Sequence, residues 1–245
     1  MKKAMALTII PHNSPNYDMR PKGCAIDTLV IHHTGMSSEQ SALNRLCSLQ
    51  SRVSSHYLIS ADGKVMQLVA DEYMAWHAGR SCWHGRSELN FNSIGIELDN
   101  NGVDPFPPAQ MQSLVALALS LIEKYSIEPK NVVAHADIAP NRKVDPSQHF
   151  DWKLLNHEGI GLYSNISVAK VTVLHKLGDA GQEISSLRNK LQTFGYNLPS
   201  SNLFDRDLLN VIHAFKRHHV PETYHDTFWD NLAEARLNDL VLQLS

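Results

Sequence analysis

Two histidines and an aspartate in this chain are spaced so that they could meet at a metal ion. His32 and His135 each close a short apolar run, and Asp145 follows in the loop after the second. Strand ends are rigid enough to hold imidazoles at the roughly 2.0 Å that zinc requires. Two neutral imidazoles and one carboxylate fill three corners of a tetrahedron. The fourth stays open for water, which separates a catalytic zinc from a structural one. The chain has 14 histidines, however, and any one of them is ordinarily a hydrogen-bonded or surface residue. Residue type and spacing by themselves leave the ligand set open.

The elements that must carry these residues follow from hydrophobic periodicity. Residues 26–32 read as a buried strand that ends in His32. Residues 37–49 read as a helix capped by Ser37 or Ser38, with Leu43 and Leu46 on one face. Residues 56–60 and 64–69 are strand-like and flank an Asp62-Gly63 turn. The strand expected over 93–98 sets Glu97 among apolar neighbours. Pro107-Pro108 opens the clearest helix, in which Met111, Leu114, Val115, Ala118, Leu121, Ile122 and Tyr125 recur at helical spacing. Residues 131–135 form a last short strand that ends in His135. Beyond about residue 165 the pattern changes to amphipathic helices over 181–194, 205–218 and 227–244, with Gly195 as a helix cap. The expectation is an α/β domain over 1–165 and a small three-helix domain over 175–245.

Composition narrows the class of function. Of 245 residues, 43% are hydrophobic and 19% charged, enough to build a core without staples. A net charge of −3 without a basic stripe argues against nucleic acid as a partner. Cys24, Cys47 and Cys82 are odd in number and far apart, so they give neither a disulfide framework nor a zinc knuckle. No stretch approaches the roughly 18 to 20 apolar residues of a transmembrane helix. The apolar run from Ala4 to Ile10 is at the lower limit for a signal-peptide core and lacks a small-residue cleavage site. The chain reads as soluble. Its compartment and oligomeric state stay open.

Several motifs, in order, carry a resemblance. They are Val30-Ile31-His32, Ser54-Ser55-His56-Tyr57, Trp76-His77-Ala78-Gly79, Ser93-Ile94-Gly95-Ile96-Glu97 and the stretch from His135 to Pro146. Over residues 10 to 160 the chain resembles the type-2 zinc N-acetylmuramoyl-L-alanine amidases, a family shared with peptidoglycan recognition proteins. The resemblance implies a mixed central sheet flanked by helices, with Zn2+ in a groove at one edge. It implies the ligands His32, His135 and Asp145, and that Glu97 and Lys143 carry the catalytic step. The substrate implied is peptidoglycan or a muropeptide, cut between N-acetylmuramic acid (or its 1,6-anhydro form) and L-alanine. That function points to the periplasm or cell envelope, with the cytoplasm as the alternative. His56, Trp76 and His77 fall in motifs that line the family's groove. His33 and Arg142 adjoin the key residues and are further candidates for substrate binding, Arg142 through a bidentate grip on a stem-peptide carboxylate. The loop with Trp83, His84 and Arg86 is expected to border the same groove. Non-catalytic recognition proteins of this fold lack one or more ligands, whereas all three stand here. The segment from Ile184 to Tyr196 resembles the first helix of small peptidoglycan-binding modules. Leu203 and Lys216 replace that pattern's glycine and glutamine. Wall binding by the tail is thus an expectation, with simple packing against the catalytic part as its alternative.

Overall fold

A computed structural model describes residues 7–244. The chain opens with strands β1 (Ile9–Pro11) and β2 (Tyr17–Met19) and then enters the buried strand β3 (Thr28–His33). Of the apolar run from Ala4 to Ile10, residues 4–6 lie outside the described region, while Ile9 and Ile10 belong to β1. Helix α1 (Glu39–Leu46) leads to β4 (Tyr57–Ile59) and β5 (Val65–Gln67), which pair antiparallel across the Asp62-Gly63 turn. Short strands β6 (Tyr73–Ala75), β7 (Cys82–Trp83) and β8 (Arg86–Ser87) precede the long strand β9 (Ser93–Leu98). Then come helix α2 (Pro108–Tyr125), strand β10 (Val132–Ala134) and short helices α3 (His135–Ile138) and α4 (Trp152–His157). The tail holds β11 (Val173–Lys176), α5 (Gln182–Phe194), α6 (Arg206–His219), β12 (Phe228–Asp230) and α7 (Asn231–Leu242).

The main sheet has six strands in the order β1-β5-β4-β9-β3-β10. Only β4 and β5 pair antiparallel, so the sheet is mixed, as expected. Alternation along the strands sends apolar side chains to both faces. On one face Leu58 and Met66 pack with Ala42, Leu43 and Leu46 of α1. On the other, Ile59 and Val65 join Met111, Leu114, Leu117, Ala118 and Leu121 of α2. Burying each such aliphatic chain stabilises the fold by about 1.5–3 kcal/mol. Parallel pairing has a direct consequence for chemistry, because β3, β9 and β10 all end at the same edge. His32 is in register with Glu97, and Ala134, just before His135, is in register with Ile31.

Two element boundaries differ from expectation. The strand expected over 131–135 stops at Ala134, and His135 opens α3 instead. The Asp137 carboxylate accepts the Ala134 N–H at 2.8 Å and turns the chain there. The last helix starts at Asn231 rather than near 227. Asp230 caps it by accepting the Ala233 N–H, and the residues before it pair with β11.

The tail shares one continuous apolar core with the main sheet, reaching from Leu29 through Trp83 to Leu240. Trp83 packs its ring against Phe194 and Tyr196 and donates its indole N–H to the Lys130 carbonyl. Gly195 permits this approach, since a Cβ there would lie 2.7 Å from the Trp83 ring. Its φ of 135° is also unfavourable to other residues. Trp83 is therefore 2% exposed, which corrects the expectation that its loop borders the groove. Arg86 of the same loop pairs with Asp27. Polar contacts join the same two parts. Tyr196 donates its hydroxyl to Asp137 at 2.7 Å, and His218 Nδ1 lies 2.7 Å from the other Asp137 oxygen. Among the described residues all three cysteines are free, and no helix is long and apolar enough to cross a membrane.

Candidate metal centre and active site

His32, His135 and Asp145 come together at the carboxyl edge of the sheet, and all three are buried. His32 Nδ1 is 2.9 Å from His135 Nδ1 and 3.1 Å from Asp145 Oδ2, and His135 Nδ1 is 3.0 Å from that same oxygen. Ligands on a tetrahedral zinc ion with bonds near 2.0–2.1 Å stand about 3.3 Å apart. The triangle seen here needs only a slight expansion to match. Three polar atoms at this spacing also suit a cation on chemical grounds. His135 Nε2 lies 3.2 Å from the Ala78 carbonyl, which can only accept, so that nitrogen carries hydrogen. His135 Nδ1 turns towards the carboxylate oxygen of Asp145. A single hydrogen can bridge two of the three atoms, but not all three. One dication can, and the donor set of two imidazoles and a carboxylate is a zinc set.

Electrostatics agree with this use. Burial, then the neighbouring His135, lowers the His32 pKa to about 4, so the ring stays neutral and able to bind metal. Burial would raise the Asp145 pKa, but the two facing imidazoles outweigh it and hold the carboxyl well below the ordinary range. The loop bearing Asp145 is tied to α3 where Ala136 N donates to the Asp145 carbonyl at 3.0 Å.

A cleft of about 140 Å³ opens beside the cluster, lined by His33, Trp76, Glu97, His135, Lys143 and Asp145 among others. Glu97 Oε2 is buried there without a hydrogen-bond partner. Burial and then the charge of Asp145 raise the Glu97 pKa to about 8, against the opposing pull of Lys143. Trp76 is partly exposed, its indole N–H donated to Asp18.

Two expected substrate contacts, His56 and Arg142, stand outside this cleft, and a third, His77, lines it with its ring engaged. His56 is wholly buried, accepts the Gly95 N–H at Nδ1, and has Nε2 beside Arg20 and the Tyr73 carbonyl. Its ring is structural because strand β9 and Arg20 enclose it. Arg142 lines the adjoining cleft, with its guanidinium donating to the Ala78 and Arg80 carbonyls. Those carbonyls take up Nε and Nη2 of the fork that was expected to grip a carboxylate. His77 borders the cleft, yet its ring nitrogens contact His32 and Ser93.

Sequence reading missed Arg20 and Asn90. Arg20 donates to the Asp71, Asn90, Phe91 and Ser93 carbonyls. Asn90 Oδ1 accepts the N–H groups of His77 and Ala78. Neither has a local signal, since each acts on backbone far away or on a neighbouring loop.

A mixed sheet whose parallel strands deliver a two-histidine, one-carboxylate cluster beside a buried glutamate fits the site of a metal-dependent hydrolase. A family profile described as N-acetylmuramoyl-L-alanine amidase matches residues 22–148. The N-acetylmuramoyl-L-alanine amidase AmiD of Escherichia coli (strain K12) is 39% identical over 231 residues, covering 86% of this chain and 82% of that protein. The solved complex of E. coli AmiD with the substrate anhydro-N-acetylmuramic acid-L-Ala-D-gamma-Glu-L-Lys superposes with a TM-score of 0.78. It has 36% identity and covers 91% of this chain and 92% of that one. The 1,6-anhydro-N-acetylmuramyl-L-alanine amidase AmpD of E. coli (strain K12) is 38% identical over 156 residues, covering 57% of this chain and 85% of that protein. The chain belongs to the N-acetylmuramoyl-L-alanine amidase family.

Proposed function

We infer that this chain hydrolyses the amide between N-acetylmuramic acid, or its 1,6-anhydro form, and the L-alanine of a stem peptide. The observation that carries this reading is the convergence of His32 Nδ1, His135 Nδ1 and Asp145 Oδ2 beside the cleft lined by Glu97 and Lys143. The substrate bound to AmiD supports the anhydro-muropeptide class. His32, His135 and Asp145 would hold zinc, which when bound supplies Lewis-acid polarisation of the scissile carbonyl and acidifies water.

Glu97 is the proton carrier in this reading. General acid–base catalysis works best with a pKa near the working pH, and burial brings this carboxyl to about 8. It takes a proton from the attacking water and returns one to the departing alanine nitrogen. Lys143 turns a positive charge towards the same cleft and stabilises the oxyanion that forms as water adds to the carbonyl. His33 and Trp76 line the walls and would meet the sugar or the peptide. For the tail, the bonds from Tyr196 and His218 to Asp137 support a bracing role, because Asp137 stands two residues from His135.

Mass spectrometry of products from anhydro-muropeptide and from intact sacculi, with and without a chelator, tests the reading. Free sugar and free peptide should appear, and their formation should stop on chelation. Unchanged substrate under zinc-replete conditions would leave recognition without catalysis. Retention of the full chain on insoluble wall, compared with a protein of similar size and charge, tests polymer binding.

A further inference from the structure

Metal binding by the two histidines requires a lone pair on each Nδ1, and the structure contains a device that sets it. For His135 the Ala78 carbonyl decides, since Nε2 must donate to it. For His32 the partner is another imidazole, with His32 Nε2 lying 3.0 Å from His77 Nδ1. That contact alone allows either nitrogen to carry the hydrogen. The ambiguity ends one residue further out. The Ser93 hydroxyl donates its only hydrogen to the Leu89 carbonyl, so Ser93 Oγ can only accept from His77 Nε2, 3.1 Å away. A neutral His77 then has its lone pair on Nδ1. His32 Nε2–H donates to it, and His32 Nδ1 is left bare towards His135 and Asp145.

The His77 ring sits where a side chain on β9 would otherwise stand. A Cβ at Gly95 would lie 2.5 Å from His77 Cγ and 2.6 Å from His77 Nδ1. Gly95 has no positive φ, so its lack of a side chain serves the ring and not a turn. Asn90 holds the backbone of the same segment, accepting from His77 N at 3.1 Å and from Ala78 N at 2.7 Å.

We propose that the His77-Ala78 segment, anchored by Ser93, Gly95 and Asn90, sets the tautomers of both metal-ligating histidines. His77 is thus a positioning residue for His32, not a substrate contact. The proposal rests on the metal-site reading above and needs no muropeptide to test. Nitrogen NMR of the imidazoles in the zinc-loaded full chain should find the hydrogen on Nε2 of His32 and His135, with Nδ1 of each turned to the metal. Zinc affinity, measured by chelator competition, should fall about 10- to 100-fold in His77→Leu, the range for loss of a partner to a ligating histidine. Gly95→Ala should fall in the same direction. His77→Asn, whose amide oxygen can accept from His32, should recover zinc affinity to within about threefold of the unaltered chain. In the zinc-loaded protein, a His32 ring that lacks the Nε2 hydrogen overturns the proposal. So does full zinc affinity in His77→Leu, or a His77→Asn variant as weak as His77→Leu. A wild-type chain that takes up no zinc also overturns it, and locates the failure in the metal-site reading.

Discussion

Replacing Glu97 by glutamine should both disable the enzyme and stabilise its metal-free form at alkaline pH. Glutamine keeps the shape of the side chain and removes the ionisation. In the folded chain the carboxyl has its pKa raised from 4.5 to about 8, by burial first and by Asp145 second. The folded protein therefore holds this proton where the unfolded chain has already lost it, and the wild type loses stability as pH rises from about 4.5 to about 8. At about 1.4 kcal/mol per tenfold, the full rise corresponds to about 5 kcal/mol. Solvent in the open cleft screens part of this, so about 2 to 5 kcal/mol is expected. Urea unfolding of chelated wild type and Glu97→Gln at several pH values reads it. The variant should gain little near pH 5, gain progressively towards pH 8, and gain nothing further above. A gain of the same size at every pH, or none at pH 8, would refute the buried, proton-holding glutamate. In the zinc-replete enzyme the same change should lower turnover by about 10²- to 10⁴-fold with zinc content unaltered. Turnover near the wild-type rate would remove Glu97 from the chemistry.

Three further outcomes are expected. Lys143→Ala should retain zinc but lose about 10²- to 10³-fold in turnover, as when an oxyanion donor is removed; a loss confined to KM would make Lys143 a substrate contact instead. Zinc should leave on acidification, because protonated imidazole cannot bind it. With the His32 pKa lowered to about 4 by burial and His135, release should be complete only below that value. Dialysis at graded pH followed by metal analysis checks this, and undiminished zinc at about pH 3 would contradict the ligand set. Tyr196→Phe removes a donor from the buried Asp137 carboxylate and should cost about 1–3 kcal/mol in thermal unfolding. A variant as stable as the wild type would show that the Tyr196 hydroxyl contributes nothing to holding the tail.

Much of this protein is local in origin and could be read from the sequence. Strand β9 over 93–98 and helix α2 opening at Pro107-Pro108 follow from periodicity, because alternation and helical spacing are written residue by residue. The ordered motifs singled out His32, His135, Asp145, Glu97 and Lys143, and all five border one site. Other features depend on partners distant in the chain. Asp137 ends β10 early by capping α3, and it is joined there by Tyr196 and His218 from the tail. His56 carries a ring able to bind substrate, but buried neighbours already engage both its nitrogens, and backbone carbonyls take up Nε and Nη2 of Arg142. His77 belongs to a groove motif, yet its role is set by Ser93 and by the space over Gly95. Sequence determines which groups are available and which element carries them. Which hydrogen bonds those groups have left to give is decided only by what the folded chain brings within about 3 Å.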